Sequence, residues 1–247
     1  MGRRTPFAGD TGTMFETRAA RDGDDLRPLW DTAFLPDEVF FTRDYRPERA
    51  LIVTDGTKPV SMLHMLSRTL LLGEETLRAG YIMGVATDPA YRRQGLAGRL
   101  IAAAVQTIEE QGFDCAMLIP ASAELASFYQ RFGLTLRGRM PRFADSTPPD
   151  TRPAGLDDIE KLSALYNAAF PYRVERDAFE WETILLEYAV MIGEDGYMVG
   201  DERGILEAIP APSSASDSGR AACIKPYSPR IQNLLDNNRP YINLLYT

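Results

Sequence analysis

The chain has 247 residues, a formal net charge of −8 and a pI near 4.9. Because an acidic chain offers no broad positive field, neither nucleic acid nor a membrane surface is expected as a partner. Cys115, Cys223 and His64 lack metal-ligand spacing, so no metal site is expected. Neither a signal-peptide core nor a run of about 18 apolar residues is seen, so the default expectation is a cytoplasmic protein.

The first two-thirds of the chain alternates predicted helices and strands after residues 1–14, which are predicted to be disordered. Apolar residues at helical spacing over 26–34 indicate a helix. Three apolar runs over 50–87, separated by DGTKP and GEE, are typical of an antiparallel meander. A helix from Leu96 to Gln111, the buried strand FDCAMLIP, the helix ASAELASFYQRFG and the strand LTLRGRM follow.

A proline-rich stretch, FADSTPPDTRPAGLDD, predicts a linker over 143–152. Beyond it, residues 151–170 resemble residues 17–34 in their Thr-Arg start, Asp-Asp pair and Ala-Phe end. YMVGDERGILEAI then repeats the strand-turn-strand pattern, but a polar loop stands where a glycine-rich turn would follow. Residues 153–247 are therefore expected to form a shortened second copy, although helix capping explains the Asp-Asp pair equally well.

The stretch YIMGVATDPAYRRQGLAGRL, residues 81–100, predicts an anion site. A strand ends at Thr87, and a helix begins near Leu96 after a turn of small residues. These small residues leave backbone N–H groups free, and the helix start adds about half a positive charge. Arginines at 92, 93 and 99 add full charges, so a diphosphate is the ligand that suits the turn. The pattern is neither a Walker loop nor a dinucleotide fingerprint.

Two motifs in this order resemble those of the GNAT acyltransferases over about residues 15–142. Arg92, Gly95 and Ala97 carry the cofactor motif R/Q-x-x-G-x-G/A, and Tyr129 and Gly133 fall at the spacing of the family's second helix. That helix departs from the family pattern at three positions: Ser122 for Asn, Leu125 for Ala and Leu134 for Phe. The resemblance implies an α+β, three-layer fold with a mixed central sheet flanked by helices. The catalytic domain, 15–142, would be followed by a smaller, truncated GNAT-like α/β domain without the phosphate loop.

The resemblance also implies acetyl-CoA as acyl donor. Main-chain groups of Val85, Ala86 and Thr87 would pair with the pantetheine arm, and the Val85 N–H would stabilise the oxyanion. The remaining cofactor-binding residues would be Arg92, Arg93, Gln94, Gly95, Leu96, Ala97, Gly98 and Ser122. Tyr129 would be the general acid that protonates the departing thiolate. The alternative is that Tyr129 is an interfacial aromatic residue of an amphipathic helix.

No base is evident on the strand 81–87. Asp37, Glu38 and His64 are candidates, although surface charges and a core histidine are the commoner roles of such residues. The two-part architecture resembles the Eis-like branch of the family, in which the chain terminus reaches the active site. The terminal run RPYINLLYT is expected to be a buried strand, which makes the Thr247 carboxylate a fourth candidate base.

Three hypotheses for function follow. The first is an N-acetyltransferase that transfers an acetyl group directly to a primary amine, on a small molecule or a lysine. Carboxylates in PDEVFF and EWE favour a cationic acceptor. The second is a non-catalytic acyl-CoA sensor, against which Tyr129 argues. In the third, the second half is an interaction module that contacts a protein or pairs subunits into a homo-oligomer, through FEWETILLEYAVMIG.

Overall fold

A computed structural model describes residues 15–138, 141–143, 150–202, 204–210, 216–217 and 221–244. The strands are β1 (Phe15–Ala19), β2 (Ala50–Asp55), β3 (Lys58–Leu72), β4 (Glu75–Thr87), β5 (Cys115–Leu118), β6 (Thr135–Leu136), β7 (Pro141–Arg142), β8 (Arg152–Pro153), β9 (Tyr172–Val174), β10 (Ala189–Ile192), β11 (Tyr197–Asp201), β12 (Gly204–Ile209), β13 (Ser216–Asp217) and β14 (Cys223–Pro226). The helices are α1 (Arg27–Trp30), α2 (Glu38–Arg43), α3 (Leu96–Glu110), α4 (Ala123–Gln130), α5 (Ile159–Ala169), α6 (Ala178–Glu187) and α7 (Pro229–Asn237). No helix in these ranges is both long and apolar enough to cross a membrane.

Within the described ranges, the main sheet has eight strands in the order β1-β2-β3-β4-β5-β14-β6, with β9 pairing on β3. The predicted meander is confirmed as β2, β3 and β4, which pair antiparallel. β4 and β5 pair in parallel, because helix α3 carries the chain back across one face. The predicted mixed sheet flanked by helices is therefore confirmed.

Each face of the main sheet is covered by helices. The apolar stripe of α3 and the buried side of α4 pack on one face. Residues of α1, α2 and α7 pack on the other, together with side chains near the end of the described chain. Burial of one such Leu or Ile side chain stabilises the fold by about 1.5–3 kcal/mol. The sheet is thus held between two apolar layers.

A second, smaller sheet follows, in the order β12-β11-β10-β8. Helices α5 and α6 pack with it around a core that includes Tyr166, Trp181 and Tyr197. In the segment that resembles 17–34, residues 159–169 form α5, and the predicted strand-turn-strand unit is confirmed as β11 and β12. That this part of the chain is a second copy of the first stays a prediction. Asp177 begins α6 through a capping box with Glu180.

The chain then returns to the main sheet, and here the structure differs from the predicted division into 15–142 and 153–247. Strand β14 pairs antiparallel with β5 on one side and with β6 on the other. Helix α7 packs on the same sheet. A strand from residues 223–226 therefore lies inside the sheet of the first unit, since the edge of β5 would otherwise be left unpaired.

Two predicted strands also differ. In its described part, 134–138, LTLRGRM forms only β6, because Arg137 and Gly138 donate their backbone N–H groups to the Ala222 carbonyl instead of continuing the ladder with β14. The terminal run RPYINLLYT forms no strand in its described part, and Tyr241 makes a single bridge to Arg173. Residues 240–244 are nevertheless buried, as expected.

The second unit holds a buried ion pair between Arg176 and Glu207, with Nη1–Oε1 and Nη2–Oε2 distances of 2.6 and 2.8 Å. The hydroxyls of Tyr197 and Tyr241 each donate to the Glu207 carboxylate at 2.6 Å. Arg176 also donates to the carbonyl of Asn243 at 2.7 Å. The carboxylate thus joins β12, β11 and the segment 241–243.

Replacing Glu207 by Gln should destabilise the protein by about 3–5 kcal/mol, because the Arg176 guanidinium loses its counter-ion in a buried position. Urea denaturation followed by tryptophan fluorescence measures this free energy. The control is Arg230→Gln, whose partner Glu75 is exposed and whose loss should be far smaller. Equal midpoints for the two variants would contradict the prediction.

A β-bulge interrupts β4 where it passes His64 and Met62 of β3. His64 faces Met83 and Met62 faces Ala86, so Gly84 and Val85 share a single opposing residue. Gly84 has a φ of +59°, and a Cβ there would lie 2.7 Å from Cζ3 of Trp30. Glycine is therefore required by both backbone conformation and close packing.

Gly84→Ala should cost more stability than Gly56→Ala. Gly56 has nearly the same φ, +58°, but a Cβ there would meet nothing within 4 Å. Both variants lose about 1–2 kcal/mol to the left-handed conformation. Only the first adds the contact with Trp30, about 1–3 kcal/mol. Chemical denaturation compares the two, and equal losses would refute the packing argument.

Candidate functional site

The candidate site begins where β4 and β5 diverge. The two strands pair from Ala79 opposite Cys115 to Tyr81 opposite Met117. β4 then continues to Thr87 along β3, while β5 ends at Leu118. Among the described residues, no strand pairs with the β5-facing edge of β4 beyond Tyr81. The divergence leaves backbone groups of β4 available to an extended ligand.

The loop after β4 is held by polar contacts on its outer side. Asp88 accepts from the N–H of Ala90 at 2.9 Å and pairs with Lys58 at 2.8 Å. The hydroxyl of Tyr91 donates to Asp55 at 3.0 Å. These contacts fix the turn that leads from the sheet into α3.

The inner side of the loop presents backbone donors. Arg93 and Gly95 adopt φ values of +63° and +77°, and α3 begins at Leu96. Among the described residues, none accepts a hydrogen bond from the N–H groups of residues 93–98. A Cβ at Gly95 would meet nothing within 4 Å, so the space in front of these donors is open. Gln94, Gly95, Leu96, Ala97 and Gly98 thus lie in a turn whose backbone donors are open, and their predicted contact with an anion stays a prediction.

The three arginines of the loop have different positions. Arg92 and Arg93 are exposed beside the donors, and Arg92 Nε donates to the Thr87 carbonyl at 3.1 Å. Arg99 instead donates to Thr17 Oγ1 at 3.0 Å, so its side chain is directed toward β1. Of the three arginines, Arg92 and Arg93 are thus the ones whose side chains are exposed at the turn, and their predicted contact with a phosphate stays a prediction.

Of the predicted pantetheine-pairing residues, only Val85 lies within the bulge. The Ala86 carbonyl already accepts from Ser61 Oγ at 3.0 Å, and the Thr87 carbonyl accepts from Arg92. Val85 and Thr87 are partly exposed. The pairing of Val85, Ala86 and Thr87 with a ligand stays a prediction.

Tyr129 lies near the point of divergence. It is 7% exposed on α4 and packs in the same buried cluster as Ile82, which follows the last β4 residue paired with β5, and Leu118, the last residue of β5. Burial raises the pKa of Tyr129 to about 12, with a smaller contribution from the Cys223 thiol. Its hydroxyl therefore stays protonated at neutral pH and can act as a proton donor.

Ser122 begins the helix that carries Tyr129. Its Oγ accepts from the N–H of Leu125 at 3.2 Å, which makes it the N-cap of α4. The residue is exposed. Its observed contact is therefore structural, and its predicted contact with the cofactor stays a prediction.

The candidate bases are placed differently. Asp37 is the N-cap of α2 and accepts from Phe40 N at 2.7 Å, and Glu38 pairs with Arg27 at 3.2 Å. His64 is fully buried among the rings of Trp30, Phe40 and Tyr45, and burial lowers its pKa to about 3. An imidazole with that pKa binds a proton only weakly, so His64 is poorly suited to take a proton from an amine.

The last candidate base, Thr247, lies outside the described residues, and its role stays a prediction. Within the described ranges, no group of three or more His, Cys, Asp or Glu residues is placed to hold a metal. Sequence reasoning missed Gly84. The signal for Gly84 was a glycine inside an apolar strand, which often marks a bulge.

A family model described as an acetyltransferase (GNAT) domain matches residues 18–137. Among solved structures, a GCN5-related N-acetyltransferase from Kribbella flavida is 17% identical with a TM-score of 0.59, and the match covers 88% of this chain and 65% of that one. Eis1 from Mycobacterium abscessus is 17% identical with a TM-score of 0.55, covering 90% and 62%. A putative acetyltransferase from Pyrococcus horikoshii is 14% identical with a TM-score of 0.53, covering 96% and 88%.

The chain spans less than two thirds of the Kribbella and Mycobacterium proteins. No curated protein matches it. At these identities the structures show a shared fold alone, and the fold likeness extends over both units of the chain. The family model covers β4, the turn, α3 and the helix that bears Tyr129. Residues 18–137 are therefore an acetyltransferase domain of the GNAT family.

Proposed function

We propose that the protein is an N-acetyltransferase that transfers an acetyl group from acetyl-CoA to a primary amine by direct attack in a ternary complex. The observation that supports it is the run of donors at 93–98, without acceptors in the described protein, next to the open edge of β4. A ligand in which a diphosphate is joined to an amide-bearing arm would match both the donors and the open edge of the strand. Coenzyme A has both.

The diphosphate would lie in front of Gly95. Backbone N–H groups and the start of α3 supply partial positive charge, and Arg92 and Arg93 supply full charges. The pantetheine arm would then follow the edge of β4 toward Tyr81. This direction takes the thioester to the narrow end of the gap, where Tyr129 lies.

The chemical step uses two groups of the protein. The amine nitrogen attacks the thioester carbon, and the Val85 N–H stabilises the oxyanion, a contribution of about 3–4 kcal/mol at comparable sites. The C–N bond forms and the C–S bond breaks. The sulfur takes the hydroxyl proton of Tyr129, whose raised pKa keeps that proton available at neutral pH. The nitrogen releases one proton to water as the amide forms, and Tyr129 regains a proton from water.

In the sequence, the carboxylates of PDEVFF and EWE favour a cationic acceptor. In the structure these side chains already form ion pairs or hydrogen bonds with other groups of the protein. Glu182 pairs with Arg43 at 3.1 Å and Glu180 with Arg68 at 3.2 Å. Glu38 pairs with Arg27, and Asp37 caps α2. We therefore propose a primary amine as the acceptor group and propose no charge for the rest of the acceptor molecule.

Gly95→Val should weaken coenzyme A binding by about tenfold or more, about 1.4 kcal/mol, because the branched side chain fills the space in front of the donors. Calorimetric titration of coenzyme A measures the affinity. The matched control is Gly112→Val at the other end of α3. Gly112 has a φ of +73°, and a Cβ there would also meet nothing within 4 Å.

Gly95→Val and Gly112→Val carry the same backbone strain. A difference between their coenzyme A affinities therefore reports the effect of the side chain at position 95 on ligand binding. Equal affinities for the two variants would exclude a diphosphate at the turn. The absence of any heat with the unmodified protein would overturn the proposed function as a whole.

Tyr129→Phe should lower kcat by about 10²- to 10⁴-fold, since the thiolate then leaves without a proton donor. Coenzyme A affinity should stay unchanged. Release of the thiol from acetyl-CoA with a panel of primary amines provides the rate. The control is Tyr227→Phe, which removes the hydroxyl that donates to the Val105 carbonyl at 2.6 Å and should keep full turnover.

The alternative is a non-catalytic acyl-CoA sensor. It predicts thermal stabilisation by acetyl-CoA without thiol release for any amine, whereas Tyr129-dependent release supports the enzyme. Full activity of Tyr129→Phe would refute the role of this tyrosine as the acid.

A further inference from the structure

His64 lies against the β-bulge of β4. The residue is fully buried on β3, and its ring packs among the rings of Trp30, Phe40 and Tyr45, whose centroids lie 6.3, 5.1 and 5.1 Å away. A Cβ at Gly84 would lie 3.3 Å from His64 Nδ1. A nitrogen of the imidazole, and not one of its carbons, is therefore the part of the ring that is closest to this position in the bulge.

Neither ring nitrogen of His64 has a hydrogen-bond partner among the described residues. A buried polar group without a partner costs about 1–3 kcal/mol of stability. Met62, on the same strand, is also fully buried, is apolar, and faces Ala86 just beyond the bulge. An apolar side chain would suit the packing at position 64 equally well, so the histidine indicates a task other than packing.

The bulge contains the peptide unit that joins the Gly84 carbonyl to the Val85 N–H, the proposed oxyanion donor. Gly84 and Val85 share a single opposing residue, so β3 does not hold this unit through a regular ladder. Burial lowers the pKa of His64 to about 3, so at neutral pH the imidazole has one N–H donor and one acceptor nitrogen. In a buried site, such a group interacts strongly with the dipole of a neighbouring peptide unit.

Resting on the proposed function, we propose that His64 is a positioning residue of the acetyl-transfer site, which acts through the peptide unit between Gly84 and Val85. Polar contact of Nδ1 with this unit keeps the Val85 N–H directed at the oxyanion that forms on the thioester. The role differs from that of a base, since His64 neither touches the amine nor takes its proton. It also gives the buried, unpartnered imidazole a function that an apolar side chain could not supply.

An apolar substitution in the full chain tests this role. His64→Leu should lower kcat by about tenfold, which is less than the loss of about 10²-fold expected when an oxyanion donor is itself removed. Coenzyme A affinity should stay unchanged, because the turn at 93–98 is untouched. The melting temperature should stay the same or rise, because two unpartnered polar atoms leave the core. Thiol release from acetyl-CoA with the most active amine of the panel, calorimetric titration and thermal unfolding measure these three quantities.

His64→Asn is the second variant, because its amide places a polar atom at the same distance along the side chain as Nδ1. Its kcat should lie within about threefold of that of the unmodified protein. Its melting temperature should fall, because the smaller side chain leaves a cavity among the rings. The two variants should therefore rank in opposite orders for kcat and for melting temperature, whereas a purely structural role would give the same order for both.

The control is Met62→Leu, an exchange of apolar side chains of similar volume in the buried cluster that also holds Trp30 and Phe40. It should keep both kcat and coenzyme A affinity. Full activity of His64→Leu, or losses of kcat that follow the melting temperature across the variants, would overturn the positioning role and leave the proposed function standing. The absence of thiol release by the unmodified protein would instead overturn the proposed function, so the two failures are distinguishable.

Discussion

The divergence of β4 from β5 is the constraint on which the candidate site depends. One edge of β4 is fixed by β3 from Glu75 to Thr87, so the strand cannot follow β5 when the two part after Tyr81. Backbone groups on the other edge must then find partners outside the sheet. The bulge at Gly84 increases the local twist of β4 and changes the direction of the backbone at Val85, in the part of the strand that β5 does not pair with. The result is a gap between β4 and β5 in which no described strand pairs with this edge of β4.

The second unit takes part in this arrangement. Its chain returns as β14, which pairs along the whole of β5 and places Cys223 opposite Leu118. The end of β5 is thereby held on the side away from β4. Contacts from α6 to Arg43 and Arg68 tie the same unit to α2 and β3. Both sides of the site are therefore supported by residues that follow the predicted linker.

Local features of the site could be predicted from the sequence, because each depends on neighbours within a few residues. The free donors around Gly95 follow from small side chains before a helix, and Tyr129 follows from its spacing on α4. The meander follows from turns that have short, recognisable sequences. Such features need no knowledge of distant contacts.

The rest depends on pairing between distant parts of the chain. Four residues, 223–226, carry no pattern that selects β5 over the second sheet, so the place of β14 could not be predicted. Whether His64 is a base or a core residue depends on Trp30, Phe40 and Tyr45, which surround it only in the fold.

The net charge of −8 does not oppose the binding of an anionic cofactor, because the relevant field is local. Charges beyond about 8–10 Å are largely screened at physiological ionic strength. At the turn, Asp88 is paired with Lys58, and neither Arg92 nor Arg93 forms an ion pair with any described residue. The local balance is therefore positive, and the backbone donors of 93–98 add to it without titrating. The acidic net charge is therefore compatible with the proposed diphosphate site at this turn.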